Sequence, residues 1–227
     1  MSKLTIESVD QDGAIRETFE ALSPDTRRDF LKKSVGGATL LGGALALPGS
    51  ASAALPSQDV AILNYALTLE YLQADFYTET QRLRAVTGQL ARIARQLGSV
   101  ERAHVKAIQK VLGRQAVKKP AFNFRGVTED PDKFLKTAVA FEDLAVEAYK
   151  GQAPRIKAPA LLAAAVAIHS VEARHAAWMR YLVGVRPAAK AFDAAKPIGE
   201  VRRIVASTNF VVARPRKTGR GKPRFTG

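Results

Sequence analysis

The sequence predicts an all-α protein centred on an antiparallel four-helix bundle, and three observations predict it. Residues 58–183 are rich in Ala, Leu, Glu, Gln, Lys and Arg, the residues that favour helix. Apolar residues in this stretch recur in alternating steps of three and four, which lays a stripe along one face of a helix. Glycines at 88, 113, 151 and 184 cut the stretch into four segments of similar length. No alternating strand pattern of useful length competes with this reading, and no solenoid-type repeat is present.

The first helix is expected from about Gln58 to Arg84, before the break at Thr87-Gly88. The second runs from about Gln89 to Leu112 and stops at Gly113. Residues 114–129 carry Pro120, Phe122, Phe124 and Gly126 and form the longest connection, between helices two and three. The third helix starts near Pro131, because proline suits a first helical turn, and ends at Gly151. Pro154 and Pro159 bracket the next loop. The fourth helix runs from about Ala160 to Val183, and a short helix near Gly199–Ser207 is expected to pack outside the bundle.

The stripes carry the chemistry. In the second helix the stripe reads Leu90, Ala94, Leu97, Glu101, His104, Ile108, Val111. In the fourth it reads Leu161, Ala165, Ile168, Glu172, His175, Met179, Leu182. The first helix offers Leu63, Ala66, Glu70, Gln73 or Ala74, and Tyr77, and the third Leu135, Ala138, Glu142, Ala145, Tyr149. Each seam is apolar or aromatic except at mid-height, where it holds a Glu, followed in two helices by a His three residues on. Burying an unpaired carboxylate costs several kcal/mol. Four such residues at one level call for a common cause, and two divalent cations supply it. Positions i and i+3 share a helix face with Cβ atoms about 5–6 Å apart, so Glu-x-x-His aims both side chains at one point. Two of the three His in the chain stand in that relation to a Glu. Glu147 also lies in the third helix, but five residues turn a helix by about 140°, so it cannot face the site with Glu142. His169 is expected to be a core or supporting residue, Trp178 a packing residue, and Tyr65, Tyr71, Tyr77 and Tyr149 core or helix-surface aromatics, with a redox-active Tyr77 or Tyr149 near the site as the alternative.

The chain has no Cys, which excludes disulfides, thiolate zinc sites and thiol catalysis. A site built from Glu and His suits iron or manganese. No Ser/His/Asp set, phosphate loop or paired-carboxylate glycosidase signal stands out.

Glu70, then Glu101-Arg102-Ala103-His104, then Glu142, then Glu172-Ala173-Arg174-His175 resembles the ferritin-like superfamily. One Glu from each of two helices plus Glu-x-x-His from the other two is that group's dinuclear pattern. Within it, Leu69-Glu70-Tyr71, Phe141-Glu142, Ala148-Tyr149 and Val171–Ala177 are similar to exported ferritin-like-domain proteins labelled desiccation-related. The resemblance covers residues 58–193. It implies two iron or two manganese ions, bridged by Glu101 and Glu172, each capped by His104 or His175, with Glu70 and Glu142 as terminal ligands. It also implies oxygen or peroxide as the reacting partner and a protective role under oxidative or drying stress. A non-catalytic envelope protein using the same bundle for stability or binding is the alternative, and an open coordination position with peroxide turnover separates the two.

Residues 1–53 read as an export address. Arg27-Arg28-Asp29-Phe30-Leu31-Lys32 precedes an apolar, Gly- and Ala-rich run from Val35 to Leu47, then Pro48 and Ala51-Ser52-Ala53. This is the order of a secretory signal, and the paired Arg resembles the twin-arginine family. The apolar run falls short of the ~20 residues a membrane-spanning helix needs. The expected destination is the periplasm or another extracytoplasmic space, reached in the folded state, with cleavage after Ala53. Residues before Thr26 are polar and acidic and are expected to be disordered.

The formal charge is +14. Residues 54–227 carry 29 Lys and Arg against 14 Asp and Glu, so the excess belongs to the exported part. Arg214, Arg216, Lys217, Arg220, Lys222 and Arg224 concentrate it in a Pro- and Gly-containing tail over 214–227. That tail is expected to be disordered, and anionic lipid or wall polymer fits it better than nucleic acid, given the export signal. Residues 54–193 form the expected bundle, and 194–213 a short helix and extension.

Overall fold

The computed structural model describes residues 55–188 and 190–212. The leader over 1–53 and the basic tail over 214–227 therefore lie outside the described residues.

Four long helices form, each within about a residue or two of its expected ends. They are α1 (Ser57–Leu83), α2 (Gly88–Leu112), α3 (Pro131–Gln152) and α4 (Pro159–Leu182). A shorter α5 (Ile198–Ser207) follows. Their boundaries have local causes. Arg84 leaves α1 in the left-handed region at φ 53°. Asp130 caps α3, its side chain accepting from the Asp132 and Lys133 amides at 3.0 Å, with Pro131 in the first turn. Gly113 ends α2 and passes into a 3-10 turn over Gly113–Gln115. No helix among the described residues is long and apolar enough to cross a membrane.

Side-chain pairing fixes the arrangement. Gln81 reaches the Ala94 carbonyl, Gln109 donates to the Tyr71 hydroxyl, and Asn64 reaches the Gln115 carbonyl. These contacts descend α1 as they ascend α2, so the two helices form an antiparallel hairpin. The chain then crosses to a second hairpin of α3 and α4, locked on its outer side by Arg180, which donates to both oxygens of Asp143 at 2.7 and 2.8 Å. Asp59, fully buried in the first turn of α1, accepts from the Lys157 and Ala158 amides and ties the α3–α4 turn to α1.

One feature departs from the all-helix expectation. The long connection contains β1 (Ala121–Phe122), which pairs antiparallel with β2 (Val211–Val212). Two-residue strands are too short to show an alternating pattern, so their pairing depends on tertiary placement. They bring Phe124 and Phe210 into edge contact, 5.5 Å between centroids, and Phe124 meets Phe76 in the same way. The long connection thus packs into the core at one end of the bundle. α5 lies over α1 and α3, where Val201 is buried with Tyr65, Leu69, Leu144 and Ala148.

The core has two main apolar parts along the bundle axis. One holds Phe76, Tyr77, Leu97, Phe124, Phe134, Phe141, Met179 and Phe210, with Trp178 packed against it. The other holds Ala66, Leu67, Tyr71, Ile108, Leu112, Tyr149 and Ala165. Along α2 the seam passes from Leu97 in the first part to Ile108 in the second, with Glu101 and His104 between. Along α4 it passes from Ala165 to Met179, with Glu172 and His175 between.

Candidate metal centre

Glu70, Glu101, Glu142 and Glu172 are each at most 1% exposed, and His104 and His175 are buried at 9% and 6%. All six predicted residues meet in this one layer between the two apolar parts of the core. Glu147 lies at the surface beside Lys196, so Glu142 alone represents α3. His169 is half-buried and lies outside the cluster.

The six fall into two overlapping groups. Glu70, Glu101, His104 and Glu172 each bring one ligand atom within 4.8 Å of the others, and so do Glu101, Glu142, Glu172 and His175. Glu101 and Glu172 belong to both. His104 Nδ1 faces Glu172, Glu70 and Glu101 oxygens at 3.1, 3.3 and 3.5 Å. His175 Nδ1 faces Glu101, Glu142 and Glu172 oxygens at 2.9, 3.5 and 3.9 Å.

Hydrogen bonding does not account for this convergence. A single imidazole N–H can serve only one of three oxygens. Glu70 Oε2, both oxygens of Glu101 and of Glu172, and both Nδ1 atoms are buried with no hydrogen-bond partner. Buried polar atoms left without partners are rare in folded proteins, and here they all point inward at a common centre. A donor set of carboxylate oxygens and imidazole nitrogens fits hard or borderline divalent cations.

Proton affinities show the same unmet charge. Burial pushes the Glu101 carboxyl up to about 7 against its His104 and His175 contacts, and burial with the Glu101 charge raises Glu172 well above the carboxylate range. Burial opposes charge on the imidazoles, but the surrounding carboxylates outweigh it. They lift His175 up to about 10 and raise His104 further. Without metal, the cluster keeps its charge in balance by holding protons.

Two further residues complete the site. Tyr77 on α1 donates to Glu142 Oε1 on α3, and Tyr149 on α3 donates to Glu70 Oε1 on α1, both at 2.5 Å. Gln73 Nε2 donates to Glu142 Oε2 at 3.2 Å. Burial and the neighbouring Glu142 or Glu70 raise both phenols well above their ordinary value, so they stay protonated as donors. The pairing is reciprocal: each of α1 and α3 carries a Glu with a Tyr seven residues later, and each Tyr holds the Glu of the other helix. That shared offset was the available sequence signal for their role. The stripe reading placed both tyrosines on the seam without joining them to the carboxylates.

The chain matches the ferritin-like domain family over residues 58–185. It belongs to that family. The matched span runs from the start of α1 to just past α4 and contains all six clustered residues. No curated protein matches the chain. This ferritin-like domain is a bundle of helices with a buried acidic and imidazole cluster that could hold metal.

Proposed function

We propose that this ferritin-like protein holds a dinuclear iron or manganese centre and uses it in redox chemistry with oxygen or peroxide, as a protective function after export. The observation that carries the reading is the pair of four-residue groups that share Glu101 and Glu172. One ion would be held by Glu70, Glu101, His104 and Glu172, the other by Glu101, Glu142, Glu172 and His175. Bound iron or manganese supplies Lewis acidity and exchangeable electrons. The residues of the chain do the rest. The four carboxylates compensate the cationic charge, and Tyr77 and Tyr149 orient Glu142 and Glu70. Each phenol keeps its proton on Oη beside a carboxylate oxygen. The apolar residues on either side keep the cluster buried from solvent.

The decisive measurement is metal per chain, by elemental mass spectrometry, on mature protein purified without chelator. About two iron or manganese ions are expected, as two overlapping ligand groups imply, and the Glu101→Ala/His175→Ala variant is expected to lose them. Absence of both metals from wild type, even after anaerobic incubation with each ion, would leave a structural polar network and sink the redox reading. Turnover of peroxide by the loaded protein separates an enzyme from a metal-stabilised envelope protein.

The leader supports export in the folded state to the periplasm or another extracytoplasmic space. Fractionation of cells expressing the Arg27→Lys/Arg28→Lys variant is expected to find it retained in the cytoplasm. Unchanged export of the variant would rule out the twin-arginine route. In this reading the 214–227 tail supplies contact with anionic lipid or wall polymer, and a homo-oligomer is compatible with the fold.

A further inference from the structure

The face of α2 turned away from the cluster carries a different chemistry. Arg92, Arg95, Arg102, Lys106 and Lys110 all lie within a quarter of the helical circumference, at 100° per residue. Four are exposed and Arg102 is half-buried. None has a carboxylate within ion-pairing distance among the described residues, and Arg102 donates only to the Thr78 hydroxyl.

The acidic residues lie elsewhere. The only carboxylates on α2 and α4 are Glu101 and Glu172, both in the buried cluster. Surface carboxylates of the described residues occur on α1, α3, α5 and the connections, where several are paired, as Asp75 with Lys119 and Asp143 with Arg180. Like charges four residues apart on a helix destabilise it, and α2 stacks two such steps from Arg102 to Lys110. A row of unrelieved repulsion along one line is relieved by an anion of the same shape.

The row is about 27 Å long, and its four-residue steps space the charges about 6 Å apart. That spacing is close to the repeat of an extended phosphodiester chain. The face carries no aromatic side chain on which bases would stack, and no large apolar side chain that would enter a bilayer.

We propose that the outer face of α2 binds a linear phosphodiester polymer through its backbone charges. This surface uses no residue of the 214–227 tail and none of the buried cluster, whose Glu101 and His104 lie on the opposite face of the same helix. Recognition is by charge spacing alone, so affinity depends on the phosphates and not on what they link.

The test uses the full mature chain and fluorescence anisotropy with two labelled probes, a ~20-nucleotide thymidine oligomer and an abasic oligomer of the same length. Each phosphate neutralised on a single strand contributes about −0.7 to the slope of log affinity against log salt, so five contacts give a slope of about −3.5. Affinity is then expected to fall about 130-fold between 50 and 200 mM salt, equally for both probes. The Arg95→Glu/Lys110→Glu variant, checked by circular dichroism and metal content, is expected to bind at least about 10-fold more weakly. Its slope is expected to be shallower by about 1.4 or more. A second variant with Arg216, Lys217 and Arg220 changed to Ser is expected to keep that helix-dependent share. The proposal is overturned if the wild-type chain binds neither probe at low salt, or if the tail variant loses all binding while the α2 variant loses none. It is equally overturned if thymidine is preferred over the abasic chain more than 10-fold, or if only anionic vesicles are bound.

Discussion

Tyr149 and Tyr77 hold the Oε1 atoms of Glu70 and Glu142, while the Oε2 atoms face the His104 and His175 imidazoles. Groups that orient metal ligands typically change affinity 10–100-fold when removed. Tyr149→Phe is therefore expected to weaken metal binding by about that factor, read by competition with a chromophoric chelator, while the fold persists. Unchanged affinity would show that Glu70 is held by packing alone. The six acidic and imidazole residues were legible in the sequence because each breaks an otherwise apolar stripe. The two tyrosines were less legible because an aromatic on a seam is what packing alone would place there. Only the crossed pairing, Tyr77 to Glu142 and Tyr149 to Glu70, reveals their task.

At the scale of elements, α1 and α2 approach closely enough that a side chain at Gly98 has no room. A Cβ there would lie 2.7 Å from Tyr77 Cβ and 2.8 Å from Gln81 Nε2. Gly98→Ala relieves the helix-propensity penalty of glycine but forces the hairpin apart, and overpacking typically costs about 1–3 kcal/mol. The expected outcome is a lower Tm, accompanied by weaker metal retention because Tyr77 moves with α1. A higher Tm would show that α1 yields without strain. The helices and their ends were readable from periodicity, Gly113, Pro131 and Gly184. The β1–β2 pair was not, since Ala121–Phe122 and Val211–Val212 are far apart in sequence and meet only after α5 turns the chain back. Asp59 escaped notice for the same reason. An acidic residue in a first helical turn suits the helix dipole, and nothing local announces that its oxygens reach the Lys157 and Ala158 amides.

For the whole molecule, the proposed metal centre is expected to make stability depend on metal and pH together. Glu101 in the metal-free fold titrates near 7 against an ordinary 4.5, and His175 near 10 against 6.5. A group whose folded proton affinity is raised contributes stability below its ordinary value and loses it as pH rises through the folded value. Both groups act in the same direction, so the metal-free protein is expected to lose stability as pH rises from about 5 to 10. In the proposed centre metal replaces those protons, so uptake is expected to release protons and apparent affinity to increase with pH over the same range. Thermal denaturation with and without chelator checks both signs. Loaded protein at a free metal concentration 100 times Kd is expected to gain about 2.7 kcal/mol. A metal-free protein equally stable at pH 5 and pH 9 would show that the cluster does not hold these protons.

The sequence by itself determined the helical class, the four long helices and the six residues of the cluster. Each of these follows from a short-range rule, namely side-chain period, helix-ending residues and the i, i+3 offset of Glu and His. Tertiary structure alone decided which carboxylates are shared between the two groups and which tyrosine holds which glutamate. It also decided that the long connection packs into the core and that, among the described residues, the cations of α2 stand without carboxylate partners. These depend on how separate helices are rotated and set against one another, and that is fixed by the packing of the whole core and not by any one segment.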